Sequence, residues 1–201
     1  MKKLLFILPM LLICVQGFSQ KIKFHQGDFK FLKSGDQIEV VFTYDNLRLL
    51  KENYTEAQYI QNRKNDLNAK DPGNGEIWEG KWHASKAGVW EPNFMQLIRK
   101  TTAKKQLNFQ NNNPAAQYIL YVDAVWVYPG WDAYMMKKAA KVSTKIRMVD
   151  RNNPSVTLVE LDAINAPGDQ FGSNFSNENR IGEGFEKTGK TLGNLISKQV
   201  K

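Results

Sequence analysis

The chain has 201 residues, 42% of them hydrophobic, a formal net charge of +8 and one cysteine. That size and apolar content suit one ordinary folded domain and exclude a miniprotein held by disulfides. The lysines and arginines are dispersed rather than gathered into a tract, which argues against nucleic acid as the partner.

Lys2 and Lys3 precede an apolar run, Leu4 to Val15, broken only by Pro9. Gln16-Gly17-Phe18-Ser19 then supplies small residues where a signal peptidase needs them, before Gln20. Residues 1–19 therefore have the layout of a secretory signal peptide, and the apolar run is too short to span a bilayer comfortably. Cys14 follows Ile13, where a lipoprotein signal needs a small residue, so it reads as a hydrophobe removed with the leader. Residues 20–201 are expected to form a single domain, periplasmic or secreted, with no later transmembrane segment and no disulfide. Such a domain must fold on its hydrophobic core. Its basic excess is compatible with anionic lipid, lipopolysaccharide or acidic glycan, or with a solvated surface alone.

Phe29–Leu32 and Ile38–Phe42 are strand-like runs separated by Lys33-Ser34-Gly35-Asp36, the pattern of a β-hairpin. Thr55-Glu56-Ala57-Gln58 is a capping box, with Tyr54 and Tyr59 at the staple positions, and predicts a helix over 56–69. Asp71-Pro72-Gly73-Asn74-Gly75 ends it. Residues 76–103 read as helix in two pieces, weakened at Gly88, with Pro92 opening the second. Trp78 and Trp82 share a face of the first piece, and Phe94, Leu97 and Ile98 form the apolar stripe of the second.

After the loop Asn111-Asn112-Asn113-Pro114 the period changes to two. Tyr118–Tyr128, Ala140–Val149 and Val156–Ile164 predict an antiparallel meander, and a helix follows from about Asn177. The expected class is α+β, in the order β-β-α-α-β-β-β-α. One mainly antiparallel sheet of about five strands would carry the helices on one face.

Residues 184–191, GFEKTGKT, match the P-loop pattern G-x-x-x-x-G-K-S/T at every position. A working P-loop needs a buried strand before the first glycine and a helix beginning at the Lys-Thr pair. Ser176 to Glu183 is no strand, and ten residues after Thr191 cannot complete a nucleotide-binding sheet. Ile181, Phe185, Thr188, Leu192, Leu195, Ile196 and Val200 instead fall on one side of a helix running through the motif. Each glycine in that helix costs about 1 kcal/mol relative to alanine. Some of Gly182, Gly184, Gly189 and Gly193, the last two in particular, are therefore expected to permit close approach to the sheet. No nucleotide is expected.

His25 and His83 are the only histidines, and neither has a second ligand at metal spacing. Asp66-Leu67-Asn68 begins like a calcium loop but fails at Lys70 and Asp71. Asp123 is a carboxylate in an apolar strand, best suited to an edge or barrel-mouth position. Trp78, Trp82, Trp90 and Trp126 fit a core, although the first three could also stack on sugar rings. Trp131 differs, because it lies in a connection. No catalytic residue, metal ligand or cofactor site is assigned.

The stretches "GDFKFLKSGDQIEVVFTYDN", "WEPNFMQLI", "YPGWDAYMMKKAAKV" and "NRIGEGFEKTGKTLGNLI" resemble a family of exported, functionally uncharacterised proteins from Bacteroidetes. The similarity spans most of residues 20–201 and implies export and the meander-plus-final-helix layout. More loosely, the element order is similar to small α/β domains of bacterial envelope lipoproteins that serve as assembly or activator subunits. Neither resemblance brings catalytic residues.

The connection Tyr128 to Lys138 is longer than a tight hairpin needs. Pro129-Gly130 suits a type II turn, and Trp131, Tyr134, Met135, Met136, Lys137 and Lys138 follow it. Such a tip either folds back as core or meets a protein partner or anionic membrane surface. The leading expectation is a non-enzymatic envelope protein that binds a partner or the membrane surface. The alternatives are a glycan- or polyanion-binding module and an enzyme with an unrecognised site. A pocket lined by Asp123 and converging polar groups would favour an enzyme, an apolar patch without a cleft a partner, and a row of exposed Trp a glycan.

Overall fold

Alternation of apolar and polar residues makes long strands in the second half of the chain, and these form the centre of the sheet. The computed structural model describes residues 20–133, 136–168 and 176–200. The expected signal peptide, including Cys14, lies outside them. The strands are β1 (Lys21–Gln26), β2 (Gln37–Thr43), β3 (Arg48–Leu49), β4 (Tyr54–Thr55), β5 (Asn108–Gln110), β6 (Tyr118–Tyr128), β7 (Trp131–Ala133), β8 (Met136–Lys138), β9 (Ala140–Asp150) and β10 (Asn153–Gly168). The helices are α1 (Glu56–Asn68), α2 (Asn74–Ser85), α3 (Glu91–Thr102) and α4 (Asn177–Gln199), with a π-helical turn at Lys86–Trp90 between α2 and α3.

β6, β9 and β10 form the expected antiparallel meander. The rest of the sheet departs from expectation. Its main path runs β1-β10-β9-β6-β2-β5, with β3 and β4 attached beside β6, so the described sheet has eight strands rather than about five. It is also mixed, because β2 runs parallel to both β6 and β5, and β3 runs parallel to β6. Parallel neighbours need a long crossover, and α1 to α3 supply it between β2 and β5.

The expected hairpin over 29–42 does not form. Phe29 to Leu32 is a turn, closed by the Leu32 amide on the Phe29 carbonyl at 3.2 Å, and it still buries both side chains. A short apolar run can be buried by a turn as well as by a strand, so its pattern did not decide between them. The strand that precedes β2 is β1, an exposed edge rich in lysine that pairs with β10.

α1 starts at Thr55, whose hydroxyl accepts from the Gln58 amide at 3.2 Å while Gln58 returns to the Thr55 amide at 2.9 Å. Pro92 stands in the first turn of α3, where its missing N–H leaves no bond unmade. α3 and α4 pack on each other, and α4 also lies on β9 and β10. Gly184 makes the close approach to the sheet, against Val142 and the Ala166 carbonyl, whereas Gly189 and Gly193 make theirs to α3. A Cβ at Gly189 would strike the Phe94 carbonyl, and one at Gly193 would strike Thr101. Residues 184–191 lie inside α4, well past its start at Asn177, with Lys190 exposed. Their amides are spent on helical bonds and form no phosphate loop.

The helices cover the sheet face that presents Leu120, Val122, Ile146 and Leu161, all buried. Trp82 and Trp90 are fully buried there as expected, and Trp90 stacks on Phe185 with centroids 5.8 Å apart. Trp78 packs at the margin of this cluster. Trp126 is half-buried rather than core, its indole N–H donating to the Leu50 carbonyl at 2.8 Å.

Candidate functional site

Three segments converge beyond the end of β6. Tyr128 ends the strand, and Pro129-Gly130 turns the chain, Gly130 taking φ +69° close to the Lys138 carbonyl, where a side chain would not fit. Trp131 then begins β7, which pairs with β8 as a separate two-stranded ribbon. Facing this turn are one flank of α1 and the first turn of α4.

Between them lies a cleft of about 730 Å³. That volume is within the roughly 300–1,000 Å³ of sites that hold a small-molecule ligand. Its aromatic lining comes from Tyr54, Tyr59, Tyr128 and Trp131. Its polar lining comes from Asn62, Arg63, Asn65 and Asp66 on α1, from Asp132, and from Asn177 and Arg180 on α4.

Arg180 is buried at 5% exposure, and its Nε donates to the Pro129 carbonyl at 3.3 Å while an Nη donates to Asn177. These bonds tie the start of α4 to the turn that precedes Trp131. Burial pulls the guanidinium below its ordinary value, and the nearby carboxylates of Asp132 and Glu178 oppose that. Tyr59 is the buried tyrosine of the lining. Burial pushes its phenol up to about 12, with the positive charges of Arg63 and Arg180 acting the other way. Ser176 caps α4 by accepting from the Asn179 amide at 3.2 Å, so the positive end of a 23-residue helix borders the cleft.

The residues singled out at the tip are distributed as follows. Trp131 is 41% exposed and lines the cleft, and Met136 is 67% exposed on β8. Lys137 and Lys138 are exposed, and the Lys138 ammonium lies 5.0 Å from the Tyr128 ring centre. Tyr134 and Met135 lie outside the described residues. Arg63 and Asn62 were not singled out from sequence, and Tyr54 only as a staple residue of α1. The only trace of them there is that α1 has a weak apolar stripe, which leaves Asn62, Arg63 and Asp66 on a side not used for packing.

Asp123 sits on an interior strand, not at an edge or barrel mouth, because β2 and β9 flank β6. It accepts from the Thr43 hydroxyl at 3.0 Å and the Asn46 amide at 3.5 Å. It lines a smaller hollow of about 350 Å³ on the outward sheet face, with Tyr121, Lys145, Arg147 and Glu160. This is the arrangement expected to favour an enzyme, but its charged groups are matched with one another across the strands. The register sets Asp123 opposite Lys145, Arg147 opposite Glu160, and Asp162 opposite both Lys145 and Lys23. Alternating charge across neighbouring strands is how an open sheet face is stabilised in water. His25 joins this face through Asp162 at 2.8 Å, whereas His83 is exposed on α2. Among the described residues, no group of three or more His, Cys, Asp or Glu is placed to hold a metal ion. No described helix is long and apolar enough to cross a membrane.

No protein-family model and no curated protein matches the chain. Among solved structures it is similar to the PelC dodecamer from Paraburkholderia phytofirmans. Identity is 10% over 85% of this chain and 96% of that chain, with a TM-score of 0.43. A variant PelC dodecamer from the same organism gives 13% identity over 90% of this chain and 95% of that chain, with a TM-score of 0.38.

Proposed function

We propose that this is an exported, non-enzymatic cell-envelope protein whose cleft binds a glycan. The observation that supports this most directly is the lining of the cleft. A partly exposed indole, Trp131, stands with Tyr54 and Tyr128 among side-chain amides, carboxylates and guanidinium groups. Sugar rings present C–H faces that pack on aromatic rings, and hydroxyls at their rims that pair with Asn, Asp and Arg. Both requirements are met within one cavity.

Trp131 reports on the site, since Trp82 and Trp90 are buried and Trp78 and Trp126 are half-buried. Titration with neutral and acidic oligosaccharides at low salt is expected to change Trp fluorescence with saturation. A broad glycan array and lipopolysaccharide that all fail to bind would sink this reading. Low salt matters because attraction between surface charges is screened beyond roughly 10 Å at 0.1 M.

The exposure of Met136 beside Lys137 and Lys138 supports a second reading, in which the β7–β8 ribbon meets a protein partner or an anionic membrane. Retention on vesicles containing anionic lipid, lost on replacing Met136 and Lys138, would support this reading instead.

A further inference from the structure

The two guanidinium groups of the cleft differ in how they are held. Arg180 is committed to the Pro129 carbonyl and Asn177, and it lies within the field of Asp132. Arg63 is not committed. Its Nε is buried without a hydrogen-bond partner, and no ion pair or ring contact joins it to any described residue. Asp66, one turn further along α1, also lines the cleft but forms no ion pair with it. A buried donor left unpaired is destabilising, more so when it is charged, and such groups normally have a partner. Here the side chain lines a cavity of ligand size, and its terminal Nη groups are accessible and make no hydrogen bond, so a ligand has room to pair with them.

Resting on the glycan reading above, we infer that the cleft selects an acidic saccharide, with Arg63 receiving a carboxylate carried on a sugar ring. The guanidinium fork matches a carboxylate in a planar, two-bond arrangement, which a neutral hydroxyl cannot reproduce. The start of α4 adds its partial positive charge on the opposite wall. Asp66 and Asp132 set the limit to this preference. Asp132 is balanced by Arg180, and Asp66 is exposed, so a single acidic group fits and a dense polyanion does not. The aromatic wall of Trp131 then takes the face of the same or the adjoining ring.

The test is calorimetric titration of the purified protein with aldotriouronic acid, a trisaccharide with one uronic acid, and with its methyl ester, which differ in charge at that one carboxyl group. The protein is expected to bind the acid at least about tenfold more tightly than the ester, a difference of about 1.4 kcal/mol. Arg63→Gln is expected to bring the two within about twofold, through loss of acid binding with ester binding kept. Arg63→Lys, which retains charge but not the fork, is expected to fall between them. Because Arg63 makes no hydrogen bond or ion pair with the described residues, both variants should have a thermal midpoint no lower than the parent's, and this is checked first. Equal binding of acid and ester overturns the inference and leaves the glycan reading standing, as does a preference that survives in Arg63→Gln. Failure of both ligands overturns the inference and weighs against the glycan reading with it.

Discussion

Trp82 donates its indole N–H to the Glu56 carboxylate at 2.7 Å, joining α2 to the first turn of α1. Lys86, in the π-helical turn, closes on the same carboxylate at 2.8 Å. Glu56→Ala would leave a fully buried indole N–H and a largely buried ammonium without acceptors. The expected loss is about 2–4 kcal/mol in urea unfolding. Glu56→Gln keeps an acceptor for the indole and should lose less. A loss below roughly 0.5 kcal/mol for the alanine variant would mean that water replaces these bonds freely.

A pair of glycines gives opposite expectations for the same substitution. Gly80 in α2 has open space around it, whereas Gly189 in α4 abuts the Phe94 carbonyl of α3. Gly80→Ala should stabilise by about 0.5–1 kcal/mol through helix propensity alone. Gly189→Ala must push α3 and α4 away from each other and should destabilise by about 1–3 kcal/mol. Thermal and urea unfolding of the two variants side by side measures this, and the same sign for both would refute the close helix contact.

Burial raises the phenols of Tyr59 and Tyr44, the first to about 12 from an ordinary value of 10.0. A group raised on folding stabilises below its unfolded value and loses that contribution as pH climbs towards its folded value. Stability should therefore fall between about pH 10 and pH 12, by up to roughly 2–3 kcal/mol for Tyr59. Absorbance titration should show Tyr59 and Tyr44 ionising only on unfolding. Tyr59→Phe should flatten the decline. Simultaneous ionisation of all tyrosines near pH 10, with no change in stability, would contradict the burial argument.

Trp131→Ala separates support from recognition. At 41% exposure on a two-stranded ribbon, the indole should contribute about 1 kcal/mol or less to stability. Glycan-dependent fluorescence change should disappear in this variant. A loss of about 3–5 kcal/mol would instead mark Trp131 as core and remove it from the binding site. Preserved stability and glycan binding, with vesicle retention lost, would move Trp131 to the ribbon's docking role.

What the sequence determined by itself is local. Thr55 and Gln58 lie three residues apart and satisfy each other's backbone, so α1 was readable from four letters. Ile181 to Ile196 repeats at helical spacing, so α4 was readable through a motif that imitates a P-loop. The meander of β6, β9 and β10 followed from alternation, because long strands that succeed one another in the chain usually pair as neighbours. Tertiary structure alone decided the partners of β1 and β2, since a strand's own pattern says which face is buried but not which neighbour lies beside it. It alone also assembled the cleft. Tyr54, Arg63, Trp131 and Arg180 come from separate stretches of the chain, and no spacing rule links them. They meet because α1, the end of β6 and the start of α4 are each held by the common core, and the polar ends left over at that corner face one another.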